Sequence, residues 1–102
     1  MIRSFRNRGT EDLYNGVDSK AARKLCPPRL LKVAGRKLDE VEAAAKLEDL
    51  KSPGNQLEKL QGDREGQHAI RINDQYRVCF IWTDGAAEEV EVVITTEAPA
   101  RW

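Results

Sequence analysis

The alternating segment GQHAIRINDQYRVCFIW, residues 66–82, constrains the fold of this chain more than any other stretch. Its apolar residues fall largely at every second position. Ile70 and Ile72 share one face of a first strand, and the even-numbered residues of 76–82 share one face of a second. A three-residue loop, 73–75, turns both sets toward one core when even-numbered residues lie opposite even-numbered ones. The segment therefore predicts an antiparallel hairpin with this register.

The same register brings two cations together. Arg71 is predicted to lie directly opposite Arg77, on the face of the sheet away from the core. A like-charged cross-strand pair is unfavourable by roughly a few tenths of a kcal/mol unless an opposite charge lies beside it. Two interpretations follow. Either the arginines form an anion-binding site, or Glu89 and Glu91 of the last strand neutralise them in a surface salt-bridge network.

The rest of the chain reads as helices followed by strands. The alternating segment 2–6 predicts a short first strand, and Thr10 and Ser19 are predicted to cap two short helices. Residues 29–51 predict one long amphipathic helix, because apolar residues recur at alternating steps of three and four: Leu31, Ala34, Leu38, Val41 and Ala45.

Strands are predicted over 67–72, 76–82 and 89–95. With the N-terminal strand they make four. The order of one strand, helices and three strands predicts a single α+β domain spanning residues 1–102. In this domain the helices pack on one face of a small, mostly antiparallel four-stranded sheet.

Composition excludes several classes of protein. No apolar run approaches the roughly 20 residues that a bilayer span needs, and the charged start MIRSFRNRG lacks the apolar core of a signal peptide. Two cysteines are too few for a disulfide framework, which favours the cytoplasm. With a single histidine and no CxxC or HExxH motif, neither a metal site nor another cofactor is expected.

Charge is unevenly distributed along the chain. Residues 1–37 carry ten Lys/Arg and three Asp/Glu, a balance of +7, and residues 38–102 carry seven and fourteen, a balance of −7. Such asymmetry can mark an anion-binding surface, although it also suits ordinary solvated helices.

His68 shares the parity of Ile70, so it is expected at the core-facing edge near Phe80. Glu58, before a Gly-Asp turn, is typical of a solvated loop carboxylate.

The stretch SPGNQLEKLQGDREGQHAIRINDQYRVCFIWTDGAAEEVEV resembles the HigB-type toxins of the RelE/ParE superfamily, the toxic partners of type II toxin–antitoxin pairs. MIRSFR at the start and GRKL in the long helix are similar too, so the resemblance covers nearly the whole chain. It implies a RelE-like fold and a metal-independent, ribosome-dependent mRNA endoribonuclease. It also implies a HigA-like helix-turn-helix antitoxin, which binds operator DNA, with the ribosome and mRNA as further partners.

The resemblance implies roles for single residues. Arg77 stands where the superfamily has an arginine that stabilises the phosphorane, and Arg71 where relatives have a second cation. HigB-type chains commonly end their last strand with Asp-Tyr-His, but here that place holds the residues 94–96, Ile-Thr-Thr. Glu58 replaces a histidine of some relatives.

Because of this departure, the resemblance does not identify the general base. Glu58 or His68 can substitute for the missing groups, and Lys59 and Arg64 are the next candidates for RNA contacts. The alternative is a weakened or decayed toxin that acts only by binding its antitoxin.

Overall fold

Three α-helices precede a four-stranded antiparallel sheet in the computed structural model, which describes residues 1–94. The helices are α1 (Arg8–Tyr14), α2 (Lys20–Leu25) and α3 (Leu31–Ala43), and short 3-10 turns occupy Pro28–Leu30, Leu47–Leu50 and Gly62–Arg64. The strands are β1 (Glu58–Lys59), β2 (Gln67–Arg71), β3 (Tyr76–Thr83) and β4 (Ala86–Ile94), arranged in the order β1-β2-β3-β4. The predicted α+β class is confirmed.

The central hairpin has the predicted register. Ile70 pairs with Val78, and Arg71 pairs with Arg77. The Ile72 amide donates to the Tyr76 carbonyl oxygen at 2.9 Å, which leaves a loop of three residues. The side-chain oxygen of Asn73 accepts hydrogen bonds from the amides of Gln75 and Tyr76, each at 2.9 Å, and so fixes the turn.

The helices cover one face of the sheet, where the even-numbered residues of the hairpin form the core. Val78 and Phe80 are fully buried there against Leu38 and Val41 of α3. Gly9 allows α1 and α2 to pack closely, since a Cβ at this position would lie 2.6 Å from the Ala21 carbonyl oxygen. No helix within residues 1–94 is long and apolar enough to cross a bilayer.

The caps of the first two helices agree with the sequence only in part. Ser19 caps α2 as predicted, with its hydroxyl oxygen accepting from the Ala22 amide at 3.0 Å. Thr10 does not cap α1, which begins earlier, because Asn7 accepts the Thr10 amide at 2.9 Å. The Thr10 hydroxyl oxygen instead accepts the Val92 amide at 3.1 Å and joins α1 to β4.

The long helix is shorter than the predicted 29–51. It spans Leu31–Ala43, and the chain then enters the 3-10 turn Leu47–Leu50. The cause is Asp49, whose carboxylate accepts the amides of Ala45 at 2.9 Å and Lys46 at 3.1 Å. These two bonds lower the pKa of Asp49. They also hold both amides away from helical partners, so the helix does not continue through Ala45.

The predicted N-terminal strand is reduced to two isolated parallel bridges, Ile2 with Ala87 and Phe5 with Val90. The reason is a β-bulge in β4, where two residues, 89 and 90, lie opposite one residue of β3. Glu89 adopts a left-handed φ of 53°, and its amide donates to the Ser4 hydroxyl at 2.9 Å. The fourth strand is therefore β1, in a segment expected to be a loop.

Candidate active site

The face of the sheet opposite the helices carries the two facing arginines. Residues that lie opposite one another in adjacent strands point to the same face. The register places Glu58 opposite Ala69, Ala69 opposite Cys79, and Cys79 opposite Glu91. This row crosses all four strands beside the Arg71–Arg77 pair. We call this surface the arginine face, and it consists of Arg71, Arg77, Glu58, Ala69, Cys79 and Glu91.

Small buried residues form the floor of the arginine face. Ala69 and Cys79 are buried and pack with Leu60 in a second, minor core. Burial raises the pKa of Cys79 to about 12, with Glu91 and Glu58 adding to the rise and Arg64 and Arg77 opposing it. The thiol is therefore uncharged at neutral pH and is a poor nucleophile. Its electrostatic neighbours show that both signs of charge surround this floor.

The two arginines bind to the hairpin loop rather than to the glutamates. Arg77 donates through Nη1 to the carbonyl oxygens of Asn73 and of Tyr76, the latter at 3.1 Å. Arg71 forms an ion pair with Asp74, whose side chain is 89% exposed. An exposed pair of this kind contributes little and exchanges readily with other anions. Arg77 makes no ion pair within residues 1–94, so its charge is not neutralised by a carboxylate there.

The glutamates of the last strand have other partners. Glu91, 8% exposed, accepts from Arg64 Nη1 at 3.0 Å and lies 3.5 Å from Arg6 Nε. Glu89, the extra residue of the bulge, lies 3.8 Å from Arg6 Nη1. The residue of β4 opposite Arg77 is Val93. The salt-bridge interpretation of the facing arginines is therefore wrong for this structure, because both glutamates pair elsewhere.

His68 and Lys59 lie on the helix side of the sheet, opposite each other in β2 and β1. The imidazole stacks on Phe80 with ring centroids 6.3 Å apart, as its parity predicts, and its Nδ1 is buried without a hydrogen-bond partner among residues 1–94. Burial, with a smaller effect from Lys59, lowers the pKa of His68. The sheet itself separates this imidazole from Arg71 and Arg77.

The structure thus divides the six predicted site residues between two surfaces. Arg71, Arg77 and Glu58 share the arginine face, and Arg64 joins its edge through Glu91 and through Gln67 at 3.1 Å. His68 and Lys59 lie on the other side. Thr95 and Thr96, where the resemblance expects Tyr-His, fall outside the described residues.

Sequence reasoning missed Glu91 as the partner of Arg64. Its parity indicated the correct face, but its partners come from a turn 27 residues earlier and from the N-terminal segment. Residues 1–94 contain no group of three His, Cys, Asp or Glu side chains arranged to hold a metal ion.

Comparisons with known proteins agree with the fold and with the sequence resemblance. The family model described as RelE-like toxin of type II toxin-antitoxin system HigB matches residues 3–93. Toxin HigB-1 of Vibrio cholerae is 39% identical over 88 residues, 85% of this chain and 90% of that protein. Endoribonuclease HigB of Proteus vulgaris is 28% identical over the same shares.

A solved structure shares the architecture at low sequence identity. The YoeB-YefM complex from Staphylococcus aureus contains a chain that superposes with a TM-score of 0.56 at 13% identity. The match covers 92% of this chain and 94% of that one. At this identity the likeness concerns the fold alone, and it supports the RelE-like arrangement of helices on one face of the sheet.

Proposed function

This chain belongs to the HigB-like family of RelE-like toxins of type II toxin–antitoxin systems, and we propose that it is an endoribonuclease that cuts mRNA on the ribosome and so inhibits translation. The observation that carries the proposal is the pairing of Arg71 with Arg77 on the open face of the sheet. One relative, from Proteus vulgaris, is named as an endoribonuclease. The ribosome as the site of cleavage is our extension.

The chemistry needs only the RNA and protein side chains. The 2′-hydroxyl oxygen forms a bond to the adjacent phosphorus, and the bond from phosphorus to the 5′-oxygen breaks. A cyclic phosphate and a 5′-hydroxyl result, after one proton leaves the 2′-oxygen and one reaches the 5′-oxygen. Negative charge develops on the non-bridging oxygens, which guanidinium groups match bidentately. Arg77 is the charge stabiliser and Arg71 the phosphate clamp.

The exposure of Asp74 favours this role for Arg71. Because the ion pair of Arg71 is with a carboxylate that is 89% exposed, an RNA phosphate can replace it at small cost. Arg64 is the next RNA contact, since Glu91 and Gln67 hold its guanidinium beside the arginine face. Lys59 points to the helix side with His68, so it contacts RNA only around the edge of β1.

Glu58 is the general base that the register supports. It lies on the arginine face, whereas His68 lies on the helix side. A carboxylate contributes to proton transfer when it reaches the 2′-hydroxyl within hydrogen-bond distance. No metal or other cofactor takes part in this proposal.

We propose the partners that the family resemblance implies. A HigA-like helix-turn-helix antitoxin keeps the toxin silent, and operator DNA is bound only through that antitoxin. The ribosome and its mRNA are the target, which places the protein in the cytoplasm.

A second candidate function has its own observation. The arginine face, within residues 1–94, has no histidine or tyrosine to act as acid or base. A toxin that has lost its catalytic groups can still fold and bind its antitoxin. Expression without the antitoxin separates the two candidates, because only an active nuclease arrests growth and fragments mRNA.

The direct test of the site is a pair of alanine variants. Arg77→Ala removes a preorganised charge stabiliser, so cleavage of ribosome-bound mRNA should fall by a factor of about 100 to 1,000. Arg71→Ala should lose less, since the ribosome also positions the phosphate. Both variants should melt within a few degrees of the wild type, because relief of the facing charges offsets the lost contacts.

Arg29→Ala is the matched control, because Arg29 is exposed, lies in the turn before α3, and its side chain makes no ion pair or hydrogen bond within residues 1–94. It should retain both toxicity and stability. The proposal fails if Arg77→Ala is destabilised yet cleaves mRNA as fast as the wild type.

A further inference from the structure

Two segments of the family resemblance meet in space, and the function proposed above uses neither. GRKL, residues 35–38, lies in α3, and SPGN, residues 52–55, follows the turn Leu47–Leu50. The Lys37 ammonium donates to the Asn55 side-chain oxygen at 2.5 Å. The side-chain nitrogen Nδ2 of Asn55 donates to Glu40 Oε1 at 3.0 Å and to the Leu50 carbonyl oxygen at 3.2 Å.

The centre of this network is buried and fully satisfied, and its edge reaches solvent through Glu40, whose side chain is 39% exposed. Asn55 is 1% exposed, and the side chain of Lys37 is 13% exposed. One acceptor bond and two donor bonds fix the amide of Asn55 in a single orientation. A buried lysine loses much of its hydration, so such a network is weak support for stability alone. Complete polar networks do, however, define one geometry.

The geometry that it defines lies at the end of β2. The carbonyl oxygen of Asn55 accepts the backbone amide of Arg71 at 2.6 Å. The chain then turns at Gln56, which has a left-handed φ of 46°, and enters β1. Asn55 therefore holds α3 through its side chain and the backbone of Arg71 through its main chain.

We infer that Asn55 is a positioning residue for the phosphate clamp. Anchored to Lys37 and Glu40 of α3, it fixes the strand end from which the Arg71 side chain leaves, opposite Arg77. The inference rests on the proposed function of the arginine face and deepens it. Without this anchor, the loop that carries residue 55 moves relative to α3, and Arg71 no longer holds one position.

The test is a double-mutant cycle on ribosome-bound mRNA, measured well below the melting temperature. Asn55→Ala removes three side-chain hydrogen bonds of the anchor but no contact with RNA, so KM should rise by about three- to tenfold with a smaller change in kcat. If Asn55 acts through Arg71, the double variant Asn55→Ala/Arg71→Ala should have the KM of Arg71→Ala alone. If the KM of the double variant is instead raised by the product of the two single-variant factors, the two residues act independently and the inference is overturned.

Three further variants guard against a merely structural effect. Lys37→Met removes the hydrogen bond to Asn55 and keeps the aliphatic volume, so it should also raise KM. This variant replaces Asn55→Ala in the test if Asn55→Ala does not fold. Glu40→Gln keeps an acceptor for Asn55 and should retain the wild-type KM. Leu38→Ala destabilises the buried side of α3 without touching the network, and it should melt earlier with an unchanged KM.

Backbone hydrogen exchange gives a readout that does not depend on RNA. Asn55→Ala should speed exchange at the Arg71 amide more than tenfold, while the Ile72 amide, bonded to Tyr76, stays protected. If the wild type cleaves no mRNA, the proposed function fails, and this measurement still decides the positioning role. Unchanged exchange at Arg71 would contradict that role even in an active toxin.

Discussion

At the scale of single residues, His68 shows how neighbours decide the chemistry of a side chain. Its ring stacks on Phe80, its Nδ1 is buried with no hydrogen-bond partner in the described part of the chain, and Lys59 lies opposite it. Burial of the ring and the nearby Lys59 ammonium disfavour the imidazolium ion, and they lower the pKa of His68. The histidine therefore behaves as part of the core edge.

This environment predicts a pH dependence of stability. Because the folded-state pKa lies below the usual value of about 6.5, the unfolded chain binds the proton first. The contribution of His68 is fully present above about pH 6.5 and is lost as the pH falls through the folded-state pKa. The free energy of unfolding, measured by urea denaturation, should fall between pH 7.5 and pH 5.5 in the wild type. In His68→Gln it should fall by less. The variant should also keep its cleavage activity, and a folded but inert His68→Gln would assign the imidazole to catalysis instead.

Residue placement was predictable wherever alternation decided it. Parity alone placed Arg71 opposite Arg77 and put His68 near Phe80, as the structure has them. Parity could not supply the partners of Glu91, because Arg6 and Arg64 come from irregular segments. Asn55 was missed for a related reason. Its sequence context, SPGN, indicates only a helix end, and its partners lie 15 and 18 residues earlier.

At the scale of elements, the errors share a cause, which is competition from side chains for backbone amides. Ala44 and Ala45 after α3 favour a helix locally, yet the Asp49 carboxylate accepts the amides of Ala45 and Lys46. In β4 the Ser4 hydroxyl accepts the Glu89 amide and helps to hold the bulge. Helix propensity and hydrophobic periodicity predict neither of these hydrogen-bonding patterns, because each depends on a single side chain that the rest of the fold brings into position.

The bulge makes its own prediction. Glycine normally destabilises a strand relative to alanine by about 0.5–1 kcal/mol, but at a left-handed φ the order reverses. Glu89→Gly should therefore be more stable than Glu89→Ala, since both lose the same weak contact with Arg6. Glu88 is the control, because it lies one residue earlier at an ordinary φ and pairs with Arg3. There alanine should be at least as stable as glycine in thermal melts. The same order at both positions would mean that residue 89 is not left-handed in solution.

At the scale of the whole molecule, the two faces of the sheet differ in what they carry. The helix side holds the main core, and the other side presents Arg71, Arg77 and Glu58 around a smaller buried cluster. The placement of the helices on one face of the sheet was predictable from alternation, because the even-numbered face of the hairpin is apolar and needs a layer of helices, whereas the RelE-like fold was implied only by the family resemblance. The proposed cations stand on strands, so their spacing is set by the sheet rather than by loop motion.

The last prediction concerns what this open face cannot do alone. Two arginines and one carboxylate on a sheet can bind a phosphate and stabilise charge, but in-line attack also requires the 2′-hydroxyl to be aligned with the leaving 5′-oxygen. A misplacement of about 1 Å can cost roughly 100-fold in rate, and free single-stranded RNA samples many geometries. The ribosome holds mRNA in one conformation, so cleavage of ribosome-bound mRNA should exceed cleavage of the same naked mRNA by at least about 100-fold. Both rates are measured on one transcript, with and without programmed ribosomes, and Arg77→Ala serves as the control for contaminating nucleases. Equal wild-type rates on the two substrates, both abolished by Arg77→Ala, would mean that the arginine face aligns RNA without the ribosome.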